Sequence, residues 1–185
     1  FTNNDSAYRV VHDAIDAGVV VKGVVDLRED GVSAAADAAR CAGVPVYLGH
    51  AVTAVKSGFR GVKGINISRL SADGRSVVSH KGAIECDILA MSGGWNPTCH
   101  LHAQSGGRPV FHEANACFLP GVSVQAERST GACAGEFDLA VCLVRAVEVA
   151  SEALRQVGID PVTMDTPSTA QHNEAPLRAL WSIPG

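Results

Sequence analysis

The chain has 185 residues, of which 46% are hydrophobic and 18% charged, with a formal net charge of −4. That balance suits one large domain or parts of two around a sizeable core, and excludes a disordered chain. The charge comes in no block of one sign, so nothing asks for a nucleic acid polymer or an anionic membrane, and no apolar run reaches the roughly 18 residues that a bilayer span needs.

Taken in chain order, residues 5–17 (DSAYRVVHDAIDA) place Ala7, Val10, Val11, Ala14 and Ile15 at helical spacing. Asn4 or Asp5 is a suitable N-cap and Gly18 a stop. Residues 19–28 (VVVKGVVDLR) are β-branched and predict a buried strand. Residues 31–42 predict an Ala-rich helix closed by Gly43, and 44–57 predict a strand. Residues 62–71 and 75–92 flank Asp73-Gly74, which reads as a hairpin turn between alternating stretches. Residues 108–127 hold two short apolar runs broken by Pro and Gly. A long helix follows with a stripe of Leu139, Cys142, Leu143, Ala146, Val149, Ala150 and Leu154, ended by Gly158. Residues 159–185 are polar and Pro-rich, a linker in composition. The alternation of the first half predicts an α/β chain with parallel strands and right-handed crossovers.

The six cysteines, at 41, 86, 99, 117, 133 and 142, contain no C-x-x-C pair. They are expected to be reduced, mostly buried thiols of a cytoplasmic protein. No signal peptide is expected, since the chain turns polar at Thr2. Phe1 reads as the end of a strand begun upstream, so the chain is expected to be a piece of a longer polypeptide.

Four stretches could carry chemistry. Thr2-Asn3-Asn4-Asp5 lies between a strand end and a helix start, where free backbone N–H groups and the helix dipole can bind a phosphate. It lacks the G-x-G-x-x-G that lets backbone approach a pyrophosphate, and Asp5 would repel one, so a plain N-cap is the favoured reading. Asp26 falls about 20 residues later, where an acid can accept from an adenosine ribose, and Arg28 could stack on adenine or bind phosphate. A strand-terminal acid in solvent is the equal alternative. Cys99, His100 and His102 follow Ser92-Gly93-Gly94-Trp95-Asn96-Pro97. C-H-x-H is too tight for ordinary structural zinc, and the stretch reads instead as a buried strand, 86–94, ending in small residues that admit a ligand or an adjoining domain. His102 keeps one interest, because a histidine at a domain crossing could face a cofactor. Lastly, Gly131, Ala132, Ala134 and Gly135 (within GACAGEF) precede the long helix, whose first turn is expected to carry Glu136 and Asp138; backbone donors to a ligand and tight packing on a sheet stand open alike.

FTNNDSAY, VVDLR, CDILAMSGGWNPTCHLHAQSGG, ACFLPG and GACAGEFDLAVCL, in this order, resemble the α subunit of heterotetrameric sarcosine oxidases and related amine and opine oxidoreductases. The resemblance covers essentially the whole chain. It implies a fragment of a three-layer, Rossmann-like FAD/NAD(P)-binding fold similar to glutathione reductase, with a parallel sheet plus a β-hairpin or meander. Residues 1–104 would be an inserted NAD-like domain, 105–158 the returning half of the first dinucleotide domain, and 159–185 a linker. The family implies NAD held by the complete α subunit. It also implies FMN at the contact with the β subunit and FAD on that partner, neither expected in this stretch alone. Partners would be the β subunit and the smaller subunits of the oxidase. The assembly would oxidise the N-methyl group of sarcosine, pass the one-carbon unit to tetrahydrofolate and give the electrons to oxygen. Candidate cofactor-binding residues are Thr2, Asn3, Asn4, Asp26, Arg28, Ser92, Gly93, Gly94, Gly131, Ala132, Gly135 and Glu136, with no catalytic residue and no metal ligand. GACAGEF departs from the family's Gly-Asp turn in having no Asp after its first Gly. The alternatives are a degenerate scaffold that packs on a partner subunit, a proline or opine dehydrogenase subunit, and a disulfide-reductase-like flavoprotein, for which a redox C-x-x-C is missing.

Overall fold

The computed structural model describes residues 1–30, 34–170 and 175–183. The chain divides into two compact units, Phe1–Gly94 with Glu174–Gly185, and Trp95–Asn173.

In the first unit, α1 spans Ser6–Asp16, β1 Val24–Asp26, α2 Ala34–Cys41, β2 Val46–Leu48, β3 His50–Gly58, β4 Gly61–Leu70 and β5 Val77–Ile84. The unit is mixed α/β, with a parallel β1–β2 pair and an antiparallel β3–β4–β5 meander. Two single bridges widen the parallel group, since Thr2 pairs in parallel with both Asp26 and Ser92. The Thr2 amide donates to Val25 O at 2.9 Å and the Ser92 amide to Phe1 O at 2.9 Å. Laid side by side, the segments run β2, β1, Thr2, Ser92.

The core follows from strand alternation. Val24 faces the helices and packs with Tyr8, Ala36, Ala39 and Val44. Its neighbour Val25 faces the other way and packs with Val52, Ile65 and Ile67 of the meander. Helices, parallel strands and meander therefore form three layers. Small Ala36 and Ala39, both 0% exposed, let α2 lie close to the strands. Each of these buried aliphatics contributes on the order of 1.5–3 kcal/mol by burial where the side chain is as large as Val or Ile.

Several expectations shift. The strand expected over 19–28 shrinks to Val24–Asp26, because Val19 and Val20 are 56% and 74% exposed and a β-branched run without cover gains little from pairing. The helix expected over 31–42 is found as Ala34–Cys41, and residues 31–33 lie outside the described residues. The single strand expected over 44–57 is two strands in two sheets. The chain pivots between them at Gly49, whose φ of +66° suits glycine. A Cβ there would also stand 2.7 Å from Glu29 Cγ. The Asp73-Gly74 turn does join β4 to β5, with Gly74 at φ +71°. The buried strand expected over 86–94 does not form. Only Ser92 bridges a neighbour, and Ile88 and Met91 are 76% and 70% exposed. Ser92 stands at the end of the parallel group with Thr2 on one side, so most of this run has no ladder to join.

In the second unit, α3 spans His100–Gln104, β6 Val110–His112, β7 Cys117–Leu119, a 3₁₀ turn Gly131–Ala134 and α4 Leu139–Gln156. The apolar runs between 108 and 127 become the β6–β7 hairpin, with Phe111 and Phe118 edge-to-face at 5.4 Å. Asp138 caps α4, accepting from the Val141 amide at 3.2 Å. The apolar stripe of α4 is present, but no residue of the helix is buried. All six cysteines are free. Only Cys117 is buried, Cys41 is exposed and the rest are intermediate, which corrects the expectation of mostly buried thiols. No helix among the described residues is long and apolar enough to cross a membrane.

Candidate functional site

The polar residues picked out near the chain start converge. Asp26 ends β1 and is 0% exposed, and Arg28, two residues on, is 3% exposed. Asp26 Oδ1 accepts from the Arg28 amide at 2.9 Å and from Arg28 Nε at 3.1 Å. Its Oδ2 accepts from Arg28 Nη2 at 2.8 Å and from the Tyr8 hydroxyl at 2.9 Å. The guanidinium also faces Asp5, with Arg28 Nη2 2.8 Å from Asp5 Oδ1. Both oxygens of Asp26 are thus engaged twice. Its place is neither a solvent-facing strand end nor an open acceptor. Burial works against the Arg28 charge, but hydrogen bonds and attraction from Asp26 and Asp5 outweigh it and raise its pKa.

Tyr8 reads out this cluster. Burial first, then the charge and hydrogen bond of Asp26, push its phenol well above the ordinary 10.0. A raised folded-state pKa means a contribution fully present below the unfolded value and lost as pH rises. Unfolding free energy should therefore fall with a proton-linked slope above pH 10.0. Tyr8→Phe should flatten that slope in urea melts across alkaline pH, at a cost of about 1 kcal/mol near neutrality for the lost hydrogen bond. An unchanged slope would assign the alkaline loss to other groups.

The turn Thr2–Asp5 is tied within itself. Thr2 Oγ1 accepts from the Asn4 amide at 3.1 Å and donates to Asn4 O at 3.0 Å. Asn4 Oδ1 accepts from the Ser6 amide at 3.1 Å, and Asn4 Nδ2 donates to Ser92 Oγ at 3.0 Å. Asp5 occupies the N-cap position of α1 without a side-chain cap bond, so the capping acceptor is Asn4. Asn3 Nδ2 donates to Gly93 O at 3.3 Å. Gly94, at φ +103°, follows. Thr2, Asn3, Asn4, Asp26, Arg28, Ser92 and Gly93 are thus brought into one neighbourhood.

Gly131, Ala132, Gly135 and Glu136 lie in the second unit. The Gly131 amide donates to Glu136 Oε2 at 2.9 Å, and Glu136 Oε1 accepts from Arg145 Nε at 3.1 Å. The turn does not open α4 directly, since the 3₁₀ segment ends at Ala134 and α4 begins at Leu139. A Cβ on Gly135 would stand 2.4 Å from Leu119 Cδ2, and its φ is +84°, so this glycine serves close packing on β7.

His102 is 2% exposed. Its Nδ1 lies 2.9 Å from Glu127 Oε1, and its Nε2 accepts from the Gly121 amide at 3.1 Å. An acceptor Nε2 fixes the proton on Nδ1, which donates to Glu127. Both nitrogens are used, so His102 holds loops together. Cys99 has Sγ 3.5 Å from Phe118 O, and burial, then nearby Cys133, raises its pKa. A raised thiol pKa does not favour a nucleophile. The sequence reasoning missed Tyr8, Asp5 as an ion-pair partner, Gly107 and Glu127. Tyr8 carried a signal, being a helix residue one turn after the cap, but its partner Asp26 is distant in sequence.

Fold and site together define an α/β protein whose parallel segments end in a shared polar cluster of turn residues. No family model matches the chain. Among curated proteins it is 33% identical over 184 residues to "Sarcosine oxidase subunit alpha" of Corynebacterium sp. (strain P-1), covering 99% of this chain and 18% of that subunit. It is 33% identical over 190 residues to the protein of that name from Rhizobium meliloti (strain 1021), covering 100% of this chain and 17% of that subunit. A third, from Corynebacterium sp. (strain U-96), is 29% identical over 184 residues, covering 99% of this chain and 18% of that subunit. Over its whole length, this chain is similar to a part of these sarcosine oxidase α subunits. It spans under one fifth of the length of these curated relatives.

Proposed function

We propose that this chain is a stretch of the α subunit of a sarcosine oxidase-type amine oxidoreductase, and that it contributes framework and docking surface rather than reacting groups. The observation that carries the reading is the similarity to three such subunits along the whole chain. The parallel order β2, β1, Thr2, Ser92 with helices on one face supports a dinucleotide-type layer in the first unit. In this reading residues 1–104 form the inserted NAD-like domain, 105–158 return to the first dinucleotide domain, and 159–185 form a linker segment whose Leu180 and Ile183 pack back on the first unit. The half-exposed stripe of α4 would be covered by the remainder of the same polypeptide, which in the relatives is several times longer than this stretch. Any nucleotide contact made here falls to the Gly131–Glu136 turn, at Gly131, whose φ of +72° leaves room for close backbone approach while Gly135 packs on β7. The β subunit and smaller subunits would be the partners, and amine oxidation would take place at the β subunit.

A second reading, a degenerate scaffold, is favoured by one observation: the polar groups of Thr2–Asp5, Asp26 and Arg28 bond to one another.

To test the first, the natural full-length polypeptide is produced with its partner subunits and assayed on sarcosine, proline and an opine. The complex is then denatured and its released nucleotides identified by mass spectrometry. Oxidation of sarcosine with release of FMN, FAD and NAD is expected. Absence of amine oxidation would overturn the oxidoreductase reading, and oxidation of proline or the opine alone would reassign the substrate. Oxidation without a released dinucleotide would remove nucleotide binding from the α subunit.

A further inference from the structure

We propose that residues 175–183 are the resident occupant of the crevice at the carboxyl ends of the first unit's parallel strands, a peptide strap where a dinucleotide fold holds its nucleotide. The proposal rests on the dinucleotide-type reading only for where a nucleotide would lie.

In open α/β sheets, ligands bind outside the carboxyl ends of the parallel strands. The strap touches the residues that follow three of the four parallel segments. After Thr2, Asn3 O accepts from the Arg178 amide at 3.1 Å and Asn3 Nδ2 donates to Arg178 O at 2.9 Å. After β1, Leu27 O accepts from Arg178 Nη1 at 2.9 Å, and Arg28 Nη1 donates to Pro176 O at 3.4 Å. After Ser92, a Cβ on Gly94 would stand 3.7 Å from Leu177 Cδ2. Arg178 Nη2 goes on to Ala72 O at 2.6 Å, and Leu180 and Ile183 pack on the cluster of Leu27, Ala51 and Leu70. The strap therefore has both polar anchors and an apolar seat.

The groups a phosphate would need are committed elsewhere. The amides of Asn4 and Ser6, at the start of α1, donate to Thr2 Oγ1 and Asn4 Oδ1. Asp5 Oδ2 accepts from the Ala175 amide at 2.7 Å, so the acid that would repel a phosphate instead receives the strap's backbone donor. Arg28, the nearest guanidinium, is shared by two carboxyl groups. Asp26, where a ribose would be read, has no exposed surface. The departure from G-x-G-x-x-G is thereby explained: Asn3, Asn4 and Asp5 bind a peptide and a turn, which glycines could not do.

Backbone hydrogen exchange on the natural full-length polypeptide tests this, with NAD and ADP as probes. The Ala175 and Arg178 amides should be protected without any added ligand. Arg178→Ala should speed their exchange by about tenfold to a hundredfold, the effect expected from losing charge-assisted hydrogen bonds at a locally opening segment. Neither probe should slow exchange across Thr2–Ser6 in the unsubstituted protein. Free-peptide exchange at Ala175 and Arg178 in that protein would overturn the proposal, and needs no variant to fold. So would protection of Thr2–Ser6 by either probe. Loss of amine oxidation in the assembled complex bears on the proposed function and leaves this result untouched.

Discussion

Asp26→Ala should lower the unfolding free energy by about 3–5 kcal/mol, the range for breaking a buried ion pair from one side. The carboxylate receives three bonds from Arg28 and one from Tyr8, and nothing at the site can replace them with water, since Asp26 is 0% and Arg28 3% exposed. Truncation leaves the Arg28 guanidinium with the Asp5 carboxylate and the Pro176 carbonyl, and orphans the Tyr8 hydroxyl and the Arg28 amide. Urea unfolding followed by circular dichroism measures the loss as a shift in midpoint at constant slope. The double variant Asp26→Ala/Arg28→Met should lose less than the sum of its parts, because the stranded charge is gone. A loss below about 1 kcal/mol for Asp26→Ala would mean the cluster is solvated in solution.

Gly107→Ala should destabilise the second unit. A Cβ there would stand 2.2 Å from His102 Cε1 and 2.3 Å from Nε2. The ring cannot yield without giving up Glu127 on one nitrogen and the Gly121 amide on the other. Overpacking of this kind costs about 1–3 kcal/mol, and a displaced ring adds the lost hydrogen bonds. His102→Ala in the same chain should remove the clash, so that the two substitutions are strongly non-additive in thermal or urea melts. Additive losses would place the ring away from Gly107. The same contact sets an acid response: the His102 hydrogen bond, ahead of burial, holds Glu127 below its ordinary 4.5. Its contribution is present above pH 4.5 and lost as pH falls through the lower folded value.

Local chemistry made much of the first unit legible. The cap of α1, the glycine stops of α1 and α2, the Asp73-Gly74 hairpin and the helical stripe of α4 all follow from short-range rules, and each is found. The misses share a cause. A β-branched or apolar run becomes a strand only if a neighbour supplies its hydrogen bonds and a layer covers its face. Val19–Val21 and 86–91 lack one or both among the described residues, and sequence periodicity cannot report that. Likewise Gly49 splits one apolar run between two sheets, a choice set by which partner each half meets.

For the candidate site, the residue types in the sequence marked Thr2–Asp5, Asp26, Arg28 and Ser92 as a set worth weighing, and the resemblance it carried to sarcosine oxidase α subunits holds across the chain. What each polar group does was decided only by tertiary structure. Tyr8 meets Asp26 across 18 positions, and Ala175 meets Asp5 across 170. A carboxylate is an acceptor for whatever donor arrives first in space, and its sequence neighbours do not say whether that donor is a ribose, a guanidinium or the chain's own backbone.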